Sequence, residues 1–196
     1  MMVMPPASPL GAGDLPVQLY TYDSATQWVW GAAVALSAAL TRTLEEKPRA
    51  RLLLSGGSTP EPVYCALAKA PLAWSLVDVA LVDERWLMPD DPNSNARLVR
   101  QTLLQRNAAG ARFETLTRAG RPLAEAVSTA NMHARNPADV VVLGMGEDGH
   151  TASLFPGMRD LGAALASPQP YVAVDASGCP GAGPLSLIHI SEPTRP

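Results

Sequence analysis

The stretch Asp139-Val140-Val141-Val142-Leu143-Gly144-Met145-Gly146-Glu147-Asp148-Gly149-His150 decides how this 196-residue chain folds. Residues 139–143 are a short apolar run rich in valine, the composition of a strand buried on both faces. The run passes straight into a loop that carries glycines, two carboxylates and a histidine. Upstream the same transition occurs twice. Residues 51–54 are an apolar strand followed by Ser55-Gly56-Gly57-Ser58-Thr59-Pro60, and residues 77–82 are another followed by a loop that starts Asp83-Glu84-Arg85-Trp86. Helical segments separate them. An Ala/Leu-rich helix opens on a Ser24/Gln27 capping box and ends before Pro48. A second box, Ser58/Glu61, opens a helix that runs to about Lys69, and Ser94 caps a helix through about Gln105. Residues 123–135 read as a further helix. Weaker signals predict strands at 17–22, 113–116 and 171–174, and a short helix near Thr151 that breaks at Pro156-Gly157. Strands alternating with helices imply an α/β fold with a mostly parallel sheet covered on both faces.

Composition narrows the functional classes. Apolar residues make up 47% and charged residues 17% of the chain, a globular balance. A net charge of −3 gives no global attraction to nucleic acid or to an anionic membrane, so neither is expected as a partner and an anionic ligand needs local groups. The longest apolar stretch, residues 28–40, is broken by Gly31 and Ser37 and is too short to span a bilayer. Cys65 and Cys179 supply neither a disulfide framework nor metal-ligand spacing, which suits the reducing cytoplasm. Residues 1–16 lack Lys and Arg, so they read as a flexible tail and not as a secretory signal.

In open parallel sheets, ligands bind beyond the carboxyl ends of the strands. The three loops are therefore expected to converge. Gly56 and Gly57 let backbone approach an anion, and the helix behind them offers unpaired N–H groups. Taken alone, that turn is equally an ordinary strand–helix connection. Arg85 is the best local cation, because guanidinium matches phosphate or carboxylate in bidentate fashion, although a structural pair with Asp83 or Glu84 is the commoner use. His150 ends a glycine loop two residues after Asp148. An imidazole there can take a proton from water while the carboxylate orients the ring. His133, on a helix, reads as surface. His189 lies in the final segment, and three scattered histidines make no metal site. Cys65, inside a helix, reads as packing. Residues 144–149 also match the G-x-G-x-x-G dinucleotide pattern. Glu147 and Asp148 would repel a pyrophosphate, however, and Pro156 cuts short the helix that pattern needs. No G-x-S-x-G elbow is present.

Taken together, residues 55–60, residues 83–86, Ser94-Asn95 and residues 144–157 resemble the 6-phosphogluconolactonase family. The resemblance covers about residues 17–174. It implies a three-layer α/β/α, Rossmann-like fold related to glucosamine-6-phosphate deaminases. It also implies hydrolysis of 6-phosphogluconolactone to 6-phosphogluconate in the oxidative pentose phosphate pathway, with no obligatory metal or cofactor. The deaminases share the glycine turn and the loop ending in Asp-Gly-His. Thr151-Ala152-Ser153-Leu154-Phe155-Pro156 favours the lactonase branch over them. An inactive sugar-phosphate-binding member of the fold is the third reading. Carried over by motif, Gly56, Gly57, Ser58 and Thr59 line the sugar-phosphate site, Asp83 and Arg85 contact substrate or order the site, Gly146 lets the loop approach the ligand, and His150 is the base. Asp148 as its orienting partner comes from spacing.

The C-terminal end departs from the pattern. Family members continue through another strand and a closing helix, whereas residues 185–196 here resemble translated sequencing-adapter sequence. The expected organisation is a tail at 1–16, one lactonase-like domain at 17–176 that lacks its last strand and helix, and a non-family segment at 177–196. A chain so shortened is expected to fold poorly or to be inactive.

Overall fold

The computed structural model describes residues 18–134 and 136–179 together with the backbone of 186–189. The predicted tail at 1–16 and most of the final segment lie outside the described residues. Four parallel strands form the main sheet: β1 (Ala50–Leu54), β2 (Val77–Leu81), β4 (Arg112–Phe113) and β5 (Val140–Val141), in the order β4-β2-β1-β5. In register, Leu52 sits beside Val79 on one side and Val140 on the other. The β5 ladder reaches beyond its two named residues, because Asp139 and Val142 donate backbone N–H groups to Arg51 and Leu53. Asp139 also accepts the Arg51 backbone N–H through Oδ2 and pairs with Lys47, which fixes where the strand begins.

β1 is buried at all five positions, as a central strand covered on both faces must be. Its residues divide between the faces by the two-residue period. Ala50, Leu52 and Leu54 share one cluster with Val77, Val79 and Leu81, while Leu53 packs with Ala80 and Val82 on the other side. Each fully buried leucine contributes roughly 1.5–3 kcal/mol by leaving water. α1 (Ala25–Glu46) and α2 (Glu61–Leu67) pack together and add Ala33, Leu40, Val63, Tyr64 and Leu67 to the first cluster. α3 (Asn95–Thr102) lies beside α2 and contributes Ala96 and Val99. α4 (Leu123–His133) is fastened through Asn131, which exchanges two hydrogen bonds with the backbone of Tyr171.

A second, three-stranded sheet joins β3 (Asp83–Arg85) and β6 (Tyr171–Val174) through β7 (Ser186–His189), which runs antiparallel to both. β7 falls in the segment expected to lie outside the family. Asp83-Glu84-Arg85, expected as a loop, is therefore a short strand, because a partner backbone is available to pair it. The buried Tyr171 hydroxyl donates to the Leu81 carbonyl at 2.7 Å and ties this sheet to the main one. α5 (Leu161–Leu165) packs Ala164 in a separate cluster with Phe155, Met158 and Val174.

Several local expectations change. The first capping box forms, with Ser24 Oγ accepting from the Gln27 N–H, although Gln27 Oε1 reaches back to the N–H of Asp23 and not to that of Ser24. The second does not. Pro60 occupies the N-cap of α2 and Ser58 stays exposed in the preceding turn, so the register of the box is lost. The strand predicted at 17–22 is reduced over its described residues to a single bridge residue at Leu19, which is 39% exposed. No helix starts at Thr151. Residues 151–154 close a tight turn bridged between Thr151 and Leu154, with Ala152 at φ 50°, a left-handed conformation that no helix contains. Cys65 is exposed and not packed, because α2 buries Val63, Tyr64, Ala66 and Leu67 and turns position 65 outward. No helix among the described residues is long and apolar enough to cross a membrane.

Candidate active site

The three strand-end segments meet at one cleft of about 280 Å³. Ser55, Gly56, Gly57, Ser58, Thr59 and Pro60 line it from the end of β1. Asp83 and Arg85 line it from β3, and Gly144, Met145, Gly146, His150 and Ala152 from the end of β5. Every residue predicted to touch substrate thus faces the same space, as the carboxyl-end rule for parallel strands requires. Asp148 does not line the cleft but holds His150.

The glycine turn after β1 is pinned from below. The buried Tyr64 hydroxyl donates to the Ser55 carbonyl at 2.8 Å, and burial pushes its phenol well above the ordinary range. Gly56 has no room for a side chain: a Cβ there would lie 1.8 Å from Asn95 Oδ1. Asn95 in turn donates from Nδ2 to the Asp83 carbonyl at 2.8 Å, so the turn, β3 and the start of α3 are stacked into one unit. Asn95 also lines the cleft. The sequence reading used Asn95 as part of a motif and gave it no place in the site. A polar side chain directly after the Ser94 cap was the sequence signal for one.

Glu84 is fully buried beneath this unit. Its Oε1 accepts the backbone N–H groups of Arg85 and Asn95, and its Oε2 accepts the Ser94 hydroxyl and the Ala96 N–H. Burial raises its carboxyl above the ordinary carboxylate range, against the pull of those donors. Asp83 is also buried, and burial raises it too. The Ser153 hydroxyl, Arg85 and His150 oppose that rise. Arg85 forms no ion pair with either carboxylate among the described residues. Its guanidinium donates to the Asn93 carbonyl at 2.6 Å, and it borders the cleft half-buried.

His150 is set by its own loop. The Gly146 N–H donates to the His150 carbonyl and the Gly149 N–H to the Gly146 carbonyl, while the Thr151 hydroxyl closes onto the Gly144 carbonyl. Asp148 Oδ1 stands 2.5 Å from His150 Nδ1 and also accepts the His150 backbone N–H at 3.1 Å. Those two bonds, the backbone one foremost, hold the Asp148 carboxyl below the usual range. With Nδ1 engaged, Nε2 is the ring nitrogen left for chemistry. The ring stacks on Phe155 with centroids 4.4 Å apart and an interplanar angle of 25°. Gly146 is required for this arrangement, since a Cβ there would fall 2.2 Å from His150 Cε1. No group of three or more His, Cys, Asp or Glu residues that could hold a metal ion occurs among the described residues.

Comparison with known proteins identifies the family. The family model described as glucosamine-6-phosphate isomerases/6-phosphogluconolactonase matches residues 23–187. A 6-phosphogluconolactonase of Xylella fastidiosa is 51% identical over 172 residues, 87% of this chain and 72% of that protein. One of Pseudomonas aeruginosa is 43% identical over 76% of this chain and 64% of its own length. Among solved structures, a 6-phosphogluconolactonase from Shewanella baltica superposes with a TM-score of 0.80 at 34% identity, covering 86% of this chain and 72% of that one. A putative 6-phosphogluconolactonase from Neisseria gonorrhoeae gives 0.78 at 31% identity, covering 86% and 74%. The chain belongs to the glucosamine-6-phosphate isomerase/6-phosphogluconolactonase family.

Proposed function

We propose that this chain is a carboxylic ester hydrolase that opens 6-phospho-D-glucono-1,5-lactone to 6-phosphogluconate in the oxidative pentose phosphate pathway of the cytoplasm. The observation that carries the reading is the meeting, in one cleft, of a glycine turn and Arg85 with a histidine whose Nδ1 is already engaged by a carboxylate. Gly56, Gly57, Ser58 and Thr59 offer backbone and hydroxyl groups to the sugar phosphate, and Arg85 supplies the charge that a chain of net −3 does not supply globally. Water attacks the lactone carbonyl as His150 Nε2 takes its proton. Asp148 holds the ring and stabilises the imidazolium. Loop N–H groups or Arg85 stabilise the tetrahedral oxyanion. The ring oxygen then leaves and recovers the proton from imidazolium, so no covalent enzyme intermediate forms.

His150→Ala is expected to lower kcat by about 10²–10⁴, the usual share of a general base, with a smaller change in KM. Rates are read after subtracting spontaneous lactone opening. An unchanged kcat in a folded variant rejects this role. The phosphorylated lactone is expected to be strongly preferred over gluconolactone, and Arg85→Ala to erode that preference. Equal kcat/KM for the two lactones rejects the anion site. Release of ammonia from glucosamine 6-phosphate would favour the deaminase branch instead.

A further inference from the structure

Ser153 lies three residues beyond His150 in the turn that replaces the expected helix, and it is 3% exposed. Its hydroxyl donates to Asp83 Oδ2 at 2.5 Å, a contact that spans 70 positions of sequence and joins the His150 segment to β3. The backbone is sharply bent next to the contact. Ala152, immediately before it, holds φ 50°, a conformation that costs a β-carbon residue energy and persists where the surroundings require it. Asp83 Oδ1 has only a long 3.4 Å contact with Asn95 Nδ2, so Ser153 is the strong side-chain donor to this buried carboxylate among the described residues.

We propose that Ser153 is a positioning residue for the reaction: its hydroxyl keeps Asp83 a carboxylate facing the cleft, where that negative charge supports His150 as it becomes imidazolium. The inference rests on the lactonase reading given above. Asp83 and His150 line the same cleft and interact electrostatically. A buried anion in a low-dielectric site acts strongly on a charge that appears nearby, provided it is ionised. The other titratable groups that face Asp83 are Tyr64 from α2, Tyr171 from β6 and Arg85 on its own strand. Both phenols are pushed up by burial and stay neutral, so they supply no charge that compensates for a lost donor. Burial already raises Asp83, and removing the hydroxyl leaves that rise less opposed. The carboxylate is then lost at a higher pH than before.

The test uses the 196-residue protein with Ser153→Ala, Ser153→Thr and Asp83→Asn. The Asp83 carboxyl ¹³C shift, assigned by its loss in Asp83→Asn, is followed against pH. Its midpoint is expected to rise by about one pH unit in Ser153→Ala and to return toward the parent value in Ser153→Thr. The acid limb of kcat should move up with it, and Ser153→Ala should cost little further activity once Asp83 is Asn. An unmoved midpoint overturns the inference, because the hydroxyl is then not what keeps Asp83 ionised. So does a moved midpoint with an unmoved acid limb, or an equal loss in the Asp83→Asn background, either of which reduces Ser153 to packing. The midpoint is read without turnover, so an inactive His150 site and an unimportant Ser153 give different results.

Discussion

Two acidic pairs sit at strand ends in this chain, Asp83-Glu84 after β2 and Glu147-Asp148 after β5, and they do opposite work. Glu84 is wholly buried and Asp83 nearly so, whereas Glu147 and Asp148 are exposed. Apart from the neighbouring Arg85 N–H, the buried pair takes its donors from other elements: Ser94, Asn95 and Ala96 at the head of α3, and Ser153 beyond His150. The exposed pair has one engaged member, and Asp148 reaches only two residues, to the ring and backbone of His150. Residue type does not separate the pairs. What separates them is whether the partners lie across the fold or within one loop. Damage at Glu84 is therefore expected to appear as lost stability, and damage at Asp148 as lost turnover.

The largest expected effect is at Glu84. Glu84→Ala strands two backbone N–H groups of α3, that of Arg85 and the Ser94 hydroxyl in the interior. Leaving such groups unsatisfied costs roughly 3 kcal/mol or more, a large share of the ~5–15 kcal/mol that a domain has. Thermal or urea unfolding reads it, and a change below about 1 kcal/mol would show that water reaches these groups and that the pair is not a joint. Glu84→Gln sharpens the point through pH. Burial raises the folded pKa of Glu84 above that of a carboxyl in the unfolded chain, so between the two the folded state holds a proton that the unfolded chain has released. Stability from this group is full below the unfolded pKa and falls as pH rises through the folded one. The parent should therefore lose ground against Glu84→Gln as pH rises from about 4. A constant gap would mean that Glu84 ionises as readily folded as unfolded. Asp148 is shifted down and has the opposite sign: what it contributes is present above the unfolded pKa and lost as pH falls through the folded one.

The next effect falls on the exposed pair. Gly146→Ala pushes a methyl group into the space of His150 Cε1 and Nδ1 and toward Asp148 Oδ1. Either the ring leaves the carboxylate or the loop opens. A kcat lower by about 100-fold is expected, since displacing a catalytic group by an ångström costs that much. Most of the loop is exposed, so the melting temperature should change little. Parent-like kcat would show that the ring position seen here is not the working one. Loss of stability on the scale of Glu84→Ala would erase the distinction between the pairs.

The two pairs also differ in how far they were legible in the sequence. The main strands and α1 followed from apolar runs and capping residues, because their cores are local in period even where the partners are remote. Asp148 and His150 were legible for the same reason, being two residues apart. Glu84 was not, since nothing near it in sequence says that Ser94, Asn95 and Ala96 will turn their donors inward. Ser153 was missed because residues 151–155 look helical until the left-handed Ala152 is seen. β3 was read as a loop because its partner, β7, is about a hundred positions away in the sequence.

The smallest effect tests what the exposed carboxylate contributes beyond geometry. Asp148→Asn keeps an oxygen where Oδ1 stands, so it can still accept both the His150 backbone N–H and the Nδ1 proton. What it removes is the charge. At a side chain 38% exposed, water screens much of that charge, so its loss should lower kcat by only about tenfold. Asp148→Ala removes the two hydrogen bonds as well and should lose more, because among the described residues the stack on Phe155 is then what holds the ring. Neither change should shift the unfolding midpoint appreciably, because the loop donates nothing to the core through this side chain. Stopped-flow proton release on lactone opening, read after subtracting the enzyme-free rate, compares the variants. If Asn and Ala lose equally, the negative charge is the whole contribution and the hydrogen bonds add nothing. If Asn costs nothing, Asp148 orients the ring as a neutral acceptor would, and the charge that supports the imidazolium comes instead from buried Asp83.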